Sequence, residues 1–213
     1  MSRAITQSLQ RTYIADGEVD SREISIGEKI GSGRHGIVHK GTFRESTVCL
    51  KRYPGQTPVI NYARNEFLRL QAAHRELPDI SAYLQEGIGW VASDRHGPML
   101  VSRLVTNFDG SVSGTLDKET AVDRHFYDVL DQILKQFSDN GKLYNPVSTN
   151  ILVKKTSPEQ SVPVFIDLTN YENYWHYPLM LVSHTLFPGS KQTRIREWAK
   201  HALASCAQKV CDR

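Results

Sequence analysis

The chain is poor in the features that would settle its class at once. Its 213 residues hold three cysteines, Cys49, Cys206 and Cys211. Three thiols at these positions form neither a disulfide framework nor a zinc site, both of which need paired ligands at short fixed spacings. No apolar run approaches the roughly 18 residues that a membrane-spanning helix requires. The first twenty residues lack the apolar core of a secretory signal. With so little cysteine, the expected compartment is a reducing cytoplasm, export by a route without a cleaved signal aside. The net charge is only +3, too small a surplus to draw nucleic acid by charge. No repeat recurs and no segment is of low complexity. The 39% of hydrophobic residues suffices for the cores of one or two globular units.

The most informative stretch is Gly31-Ser32-Gly33-Arg34-His35-Gly36-Ile37-Val38. Its glycines stand in G-x-G-x-x-G spacing. A dinucleotide site would need a helix directly after the third glycine. Here Ile37-Val38-His39 alternates into Gly41 and a polar turn, and Val48-Cys49-Leu50 ends on Lys51. The order is strand, glycine loop, strand, turn, strand. There is no G-K-[ST], so a P-loop is excluded as well. A glycine hairpin followed by a strand that ends in lysine is the arrangement that covers ATP phosphates in kinases. The ordinary alternative is a glycine-rich turn joining two strands.

Strands are expected from Ile24 through Ile30, at Ile37–His39 and at Val48–Lys51. Pro54-Gly55 marks a turn. Pro58 opens a helical pattern in which Ile60, Ala63, Phe67, Leu70 and Ala73 share one face, and Pro78 ends it. Glu66 lies at the edge of that face, where it can pair with Lys51. Residues 80–91 read as a strand and hairpin, and Met99–Val101 as a buried strand running on to Leu104-Val105. A break over 102–108 separates two lobes. Asp117 to Phe137 reads as a helix with Val122, Phe126, Val129, Leu130, Ile133, Leu134 and Phe137 in one wide stripe. Asp117 is placed to cap it, and Asp139-Asn140-Gly141 to stop it. Ile151–Val153 and Val162–Ile166 are strands flanking a polar loop. Asn150 precedes the first and Asp167 follows the second. Residues 170–190 are rich in Tyr, Trp, Pro and His, and 191–208 form a final helix with a basic outer face.

Lys51, Glu66, Asn150 and Asp167 thus follow a glycine loop in order. Phosphoryl transfer needs neutralisation of charge more than covalent help. Glycine backbone N–H groups approach phosphates closely, a lysine neutralises them, a glutamate holds the lysine, and Asn and Asp oxygens suit Mg²⁺. The sequence resembles protein kinase-like domains, and more narrowly the YrbL family of bacterial PhoP-regulatory-network proteins. The resemblance covers most of residues 25–205. It rests on GSGRHGIV, the lysine of VCLK, NEFLRLQAAHREL, ISAYLQEGIG, LVTNFDGSVSGTL, the asparagine of TNILV and the aspartate of VFIDLTN.

That resemblance implies an α+β, protein kinase-like two-lobed fold with ATP between the lobes. An N-terminal arm (1–23) would precede a small antiparallel β-sheet lobe (24–105) and a reduced, mostly helical lobe (106–213). It implies ATP and Mg²⁺ (or Mn²⁺) as ligands. Gly31, Ser32, Gly33, Gly36, Val38, Lys51 and Glu66 would bind the nucleotide. Asn150 and Asp167 would bind the metal, with Lys51, Asp167 and Asn145 in the catalytic set. The acceptor, a protein or a small molecule, is not specified.

The departures from the kinase pattern are as informative. Counting back five residues from Asn150, where H-R-D-L-x-x-x-N places the base, gives Asn145, and an amide does not accept a proton as a carboxylate does. Val147 stands where protein kinases usually carry a lysine. Leu168-Thr169 follows Asp167, so the glycine of D-F-G is missing, and no A-P-E motif occurs. Only 46 residues follow Asp167, fewer than a full kinase helical lobe uses. The expected activity is an atypical or weak ATP-dependent phosphotransferase. The competing class is a pseudokinase, a nucleotide-dependent regulatory module. A purely structural interaction domain has no need of four polar groups in this order.

Other residues carry weaker functional readings. His35 is most simply an exposed loop residue, Asp109 part of an Asp-Gly turn, and Asp139 a helix-end carboxylate. Tyr171, Tyr174, Trp175 and Tyr177 read as aromatics closing a shortened lobe.

Overall fold

The computed structural model describes residues 17–33, 36–54, 62–92, 97–119, 122–140 and 148–168. Asn145, Val147, His35, the aromatic stretch 170–190 and the expected helix 191–208 lie outside them. The described chain is α+β with antiparallel sheets, compatible with a small kinase-like lobe. It divides into two compact units, residues 1–72 with 85–104 and residues 73–84 with 105–213.

The first unit is a five-stranded antiparallel sheet. Its strands are β1 (Ile24–Gly33), β2 (Gly36–Phe43), β3 (Ser46–Arg52), β4 (Gly87–Val91) and β5 (Met99–Arg103), in the spatial order β1-β2-β3-β5-β4. The turn between β2 and β3 is Arg44-Glu45, with both residues at positive φ, 47° and 67°. That is the backbone of a two-residue primed hairpin turn, made here without the Asn or Gly that usually announces one. Strand alternation sorts the side chains. Phe43, Val48, Leu50 and Val101 form one apolar cluster, with Val19, Ile24 and Ile26 packed against it. Cys49 and Lys51 point to the other face.

Helix α1 (Tyr62–Glu76) buries Ala63, Phe67, Leu70 and Ala73, the stripe that its three- and four-residue spacing predicts. It lies on β4 at Gly87, whose carbonyl accepts from Gln71 Nε2 at 2.9 Å. A Cβ at Gly87 would stand 3.1 Å from the Phe67 ring, so the small residue admits the helix. The last part of the N-terminal arm is tied down. Val19 N donates to Trp90 O and Trp90 N to Gly17 O, both at 2.9 Å. This parallel addition covers part of the free edge of β4, which would otherwise offer unpaired backbone groups.

The second unit contains a sheet in the order β6-β7-β8, made of β6 (Gly114–Thr115), β7 (Ile151–Lys155) and β8 (Ser161–Phe165). Pro163 is accommodated because β8 is an edge strand among the described residues. Helix α2 (Arg124–Asp139) buries Phe126, Val129, Leu130, Ile133, Leu134 and Phe137. Phe137 meets Phe165 of β8 edge to face, with centroids 5.1 Å apart.

Two expectations are corrected. Residues Pro78–Tyr83 form a 3₁₀ turn, not the start of a strand. Pro78 at its beginning favours a helical start, and Ile80 is simply its buried residue. Helix α2 begins at Arg124, not Asp117, because Asp123 is the cap. Its Oδ1 accepts from Phe126 N at 3.1 Å, while its Oδ2 accepts from Ser161 N at 2.7 Å. One carboxylate thus starts the helix and pins the first residue of β8. The short strand β6 was hidden in a glycine- and serine-rich stretch.

Burial alone would raise the Asp123 carboxyl, but the hydrogen bonds from Ser161 and Phe126 outweigh it and hold the group below the usual aspartate range. A depressed pKa contributes stability above the unfolded value near 3.9 and loses it as pH falls through the folded value. Asp123→Ala is therefore expected to cost about 1–2 kcal/mol at neutral pH. The gap to wild type should narrow as pH is lowered through the aspartate range. Urea unfolding at a series of pH values checks this, and a gap independent of pH would contradict the role given to the charge.

Candidate functional site

The register of the five-stranded sheet brings three of the expected residues into one row. Gly31 pairs with Val38, and Val38 with Lys51. Cross-strand partners share a face, so the glycine strand, Val38 and the lysine lie side by side on the face opposite the Val48–Leu50 cluster. Ser32 pairs with Ile37, and Gly33 with Gly36, where the hairpin closes.

Lys51 Nζ donates to both carboxylate oxygens of Glu66, at 2.9 and 2.8 Å. The side chains are 17% and 5% exposed, respectively. Glu66 reaches this depth because it lies three residues after Ala63 and one before Phe67, within the buried stripe of α1. A carboxylate taken out of water is destabilising unless donors surround it. A second donor is present, since the Tyr53 hydroxyl hydrogen-bonds Glu66 Oε2. The ammonium of Lys51 also stands 5.5 Å from the Tyr53 ring centroid, within cation–π range. Sequence reasoning passed over Tyr53 as part of the Pro54-Gly55 turn. The available signal was its position two residues beyond Lys51, which extended backbone places on the same face.

The three glycines of the hairpin differ. At Gly36 a Cβ would stand 2.5 Å from the Arg52 carbonyl oxygen, so the fold itself requires glycine there. At Gly31 the nearest described atom would be Val38 Cβ at 3.7 Å, an ordinary contact, and at Gly33 nothing described lies within 4 Å. Neither has a positive φ. The described fold gives no steric reason for glycine at 31 and 33.

Asn150 and Asp167 belong to the second unit. Asn150 ends a 3₁₀ turn (Ser148–Asn150) that leads into β7. Its carbonyl accepts from Ile166 N at 2.9 Å, one residue beyond the Ile151–Phe165 pair. Both residues therefore leave the same end of the β7–β8 hairpin. Asp167 has φ 53°, in the left-handed region that aspartate tolerates better than most side chains. Such conformations cost on the order of 1 kcal/mol and cluster at functional positions. The buried Leu168 follows it. Among the described residues no three His, Cys, Asp or Glu gather as a metal cluster. The oxygen donors of Asn150 and Asp167 are of the hard type that Mg²⁺ accepts.

The remaining candidates take structural parts. Asp109 Oδ1 accepts from Ser111 N at 2.9 Å and Ser111 Oγ at 2.6 Å, closing a turn. Asp139 is the exposed last residue of α2. Cys49 is buried, and burial pushes its thiol up, which makes it a small core residue and not a nucleophile. Asn145, the expected position of the missing base, lies outside the described residues. Among those residues no helix is long and apolar enough to cross a membrane.

Two stability outcomes follow from this geometry. Lys51→Met leaves the Glu66 charge buried without its cation and should cost about 3 kcal/mol or more in urea unfolding; a loss below about 1 kcal/mol would mean that the pair is effectively solvated. Gly36→Ala should cost about 1–3 kcal/mol through the clash with Arg52, whereas Gly33→Ala should stay within about 0.5 kcal/mol of wild type. Equal losses at the two glycines would remove the distinction drawn between them.

No protein-family model matches the chain. Over 60 residues, 28% of its length, it is 37% identical to a probable serine/threonine-protein kinase of Dictyostelium discoideum. Over 94 residues, 42% of its length, it is 30% identical to the probable serine/threonine-protein kinase kinY of the same organism. These matches span 7% and 15% of the two relatives. The chain is distantly similar to serine/threonine-protein kinases over part of its length.

Proposed function

We propose that the chain is a kinase-like ATP-binding protein, an atypical phosphotransferase that uses ATP and Mg²⁺ (or Mn²⁺) on a protein or small-molecule acceptor. The observation that carries this reading is the partly buried Lys51–Glu66 pair, its lysine on the same sheet face as the glycine strand. A cation held in this way, beside glycines that the described fold does not require, suits a phosphate chain. The partial similarity to protein kinases supports the same class. The narrower likeness to the YrbL family belongs to this proposal.

In this reading the first unit supplies the nucleotide anchor. Backbone N–H groups around Gly31, Ser32, Gly33 and Gly36 meet phosphate oxygens. Val38 offers an apolar surface to the base. Lys51 neutralises the α- and β-phosphates, and Glu66 fixes the lysine. The second unit supplies Asn150 and Asp167. One carboxylate and one amide oxygen fit Mg²⁺, an ion that usually takes one or two carboxylates and completes its shell with water and phosphate oxygens. When bound, the ion neutralises charge on the transferring phosphate. The strained Asp167 backbone is consistent with a side chain held in place for a ligand.

Asn145 favours a second reading. General-base help is worth roughly 10²- to 10⁴-fold, and an amide gives none, although it can orient an acceptor hydroxyl. A pseudokinase that binds nucleotide and signals without turnover keeps all the other groups. Positioning and electrostatics carry most of phosphoryl transfer, so the loss of a base slows catalysis without abolishing it.

Mg-ATP should raise the melting temperature of the wild-type chain, and Lys51→Ala and Asp167→Ala should each abolish the shift. Wild-type shifts in both mutants would overturn the site. Labelling from [γ-³²P]ATP that disappears in Asp167→Ala would establish transfer. Binding without labelling, across candidate acceptors, would favour the pseudokinase.

A further inference from the structure

Tyr53 is nearly inaccessible, at 1% exposure, yet it carries a polar group that must be satisfied. Its backbone N donates to Pro98 O at 3.0 Å, which extends the β3–β5 pairing one residue past Arg52 and Met99. Its ring stacks on Tyr62, the first residue of α1, with centroids 6.2 Å apart and planes at 22°. Its hydroxyl donates to Glu66, one turn further along the same helix. Tyr53 therefore joins strand to helix at two points, beside the Lys51–Glu66 contact.

The chemistry at Glu66 gives this link a consequence. The carboxylate is buried, and both of its oxygens face the Lys51 ammonium. If Lys51 turns part of its charge toward a phosphate, Glu66 loses part of its compensation in a place where water cannot supply it. A neutral hydroxyl donor does not compete for the phosphate and continues to satisfy the carboxylate. We propose that Tyr53 is a positioning residue for Lys51: by holding Glu66 it lets the lysine remain anchored while its charge is shared with the phosphates of a nucleotide. This rests on the nucleotide-binding reading above. It adds a third member to the lysine–glutamate pair and predicts that Tyr53 affects the phosphate part of the ligand alone.

The ordinary alternative is a core tyrosine whose hydroxyl merely found the nearest acceptor. Binding of Mg-ATP and of adenosine, measured by calorimetry on wild type, Tyr53→Phe, Glu66→Gln and the double variant, separates the two. Tyr53→Phe should weaken Mg-ATP about tenfold, the order expected for one hydrogen bond to a charged group, and leave adenosine within about twofold. It should add no further loss on top of Glu66→Gln, because the effect passes through that carboxylate. Equal losses for ATP and adenosine, additive losses in the double variant, or unchanged ATP binding would each overturn the proposal.

If wild type binds neither ligand, the nucleotide reading fails, and a second measurement decides the role of Tyr53. Acetic anhydride labelling, read by peptide mass spectrometry, compares Lys51 with Lys40, whose side chain is 43% exposed, in the same sample. Release of the pair in Tyr53→Phe should raise relative Lys51 labelling about threefold or more. An unchanged ratio would show that Tyr53 does not hold the lysine at all.

Discussion

A carboxylate buried to 5% exposure is the constraint around which the first unit is arranged. A carboxylate at that depth needs donors, and two come from neighbouring positions of one strand and its continuation, Lys51 and Tyr53. The consequence is a fixed relation between β3 and α1. The helix is not held by its apolar stripe alone, since a hydrophobic stripe can slide, whereas hydrogen bonds from two side chains of fixed register cannot. Buried ionic groups often add less to stability than an apolar replacement would. Their retention here fits a role in specifying one arrangement or in serving a ligand.

Around that pair the sheet separates structural from available glycines. Gly36 is needed because the chain turns close over the Arg52 carbonyl, and Gly87 because α1 rests on it. Gly31 and Gly33 have no such duty among the described residues. A glycine in a strand gives up side-chain packing and backbone entropy. Two that the described fold does not require, on a strand paired to Val38 and next but one to Lys51, are where an outside group can approach the backbone.

The second unit solves a different problem, holding a short hairpin firmly enough to present two polar residues at one end. Asp123 ties β8 to the start of α2, Phe165 meets Phe137, and the Ile166–Asn150 bond closes the hairpin end. Asp167 then adopts a left-handed backbone between the hairpin and the buried Leu168. The surrounding contacts are what sustain such a conformation.

Local pattern was enough to find the three glycine-bounded strands, the apolar stripes of both helices, the β7–β8 hairpin and the polar residues themselves. Those features are periodic or marked by glycine and proline, so neighbours in sequence determine them. The same information misplaced the start of α2, because Asp117 and Asp123 are equally good caps locally and only Ser161, 38 residues further on, favours the second. It took residues 80–83 for extended chain, and it placed a polar turn between Gly41 and Val48 without its positive φ angles at Arg44 and Glu45, which no residue preference announces. It saw that Glu66 was able to meet Lys51, since each lay on the right face of its own element, but it had no means of showing the depth of the pair. Tyr53 became part of the site only through tertiary structure. The charge on Glu66 was written in the sequence; the burial that makes its donors indispensable exists only once α1 lies against the sheet.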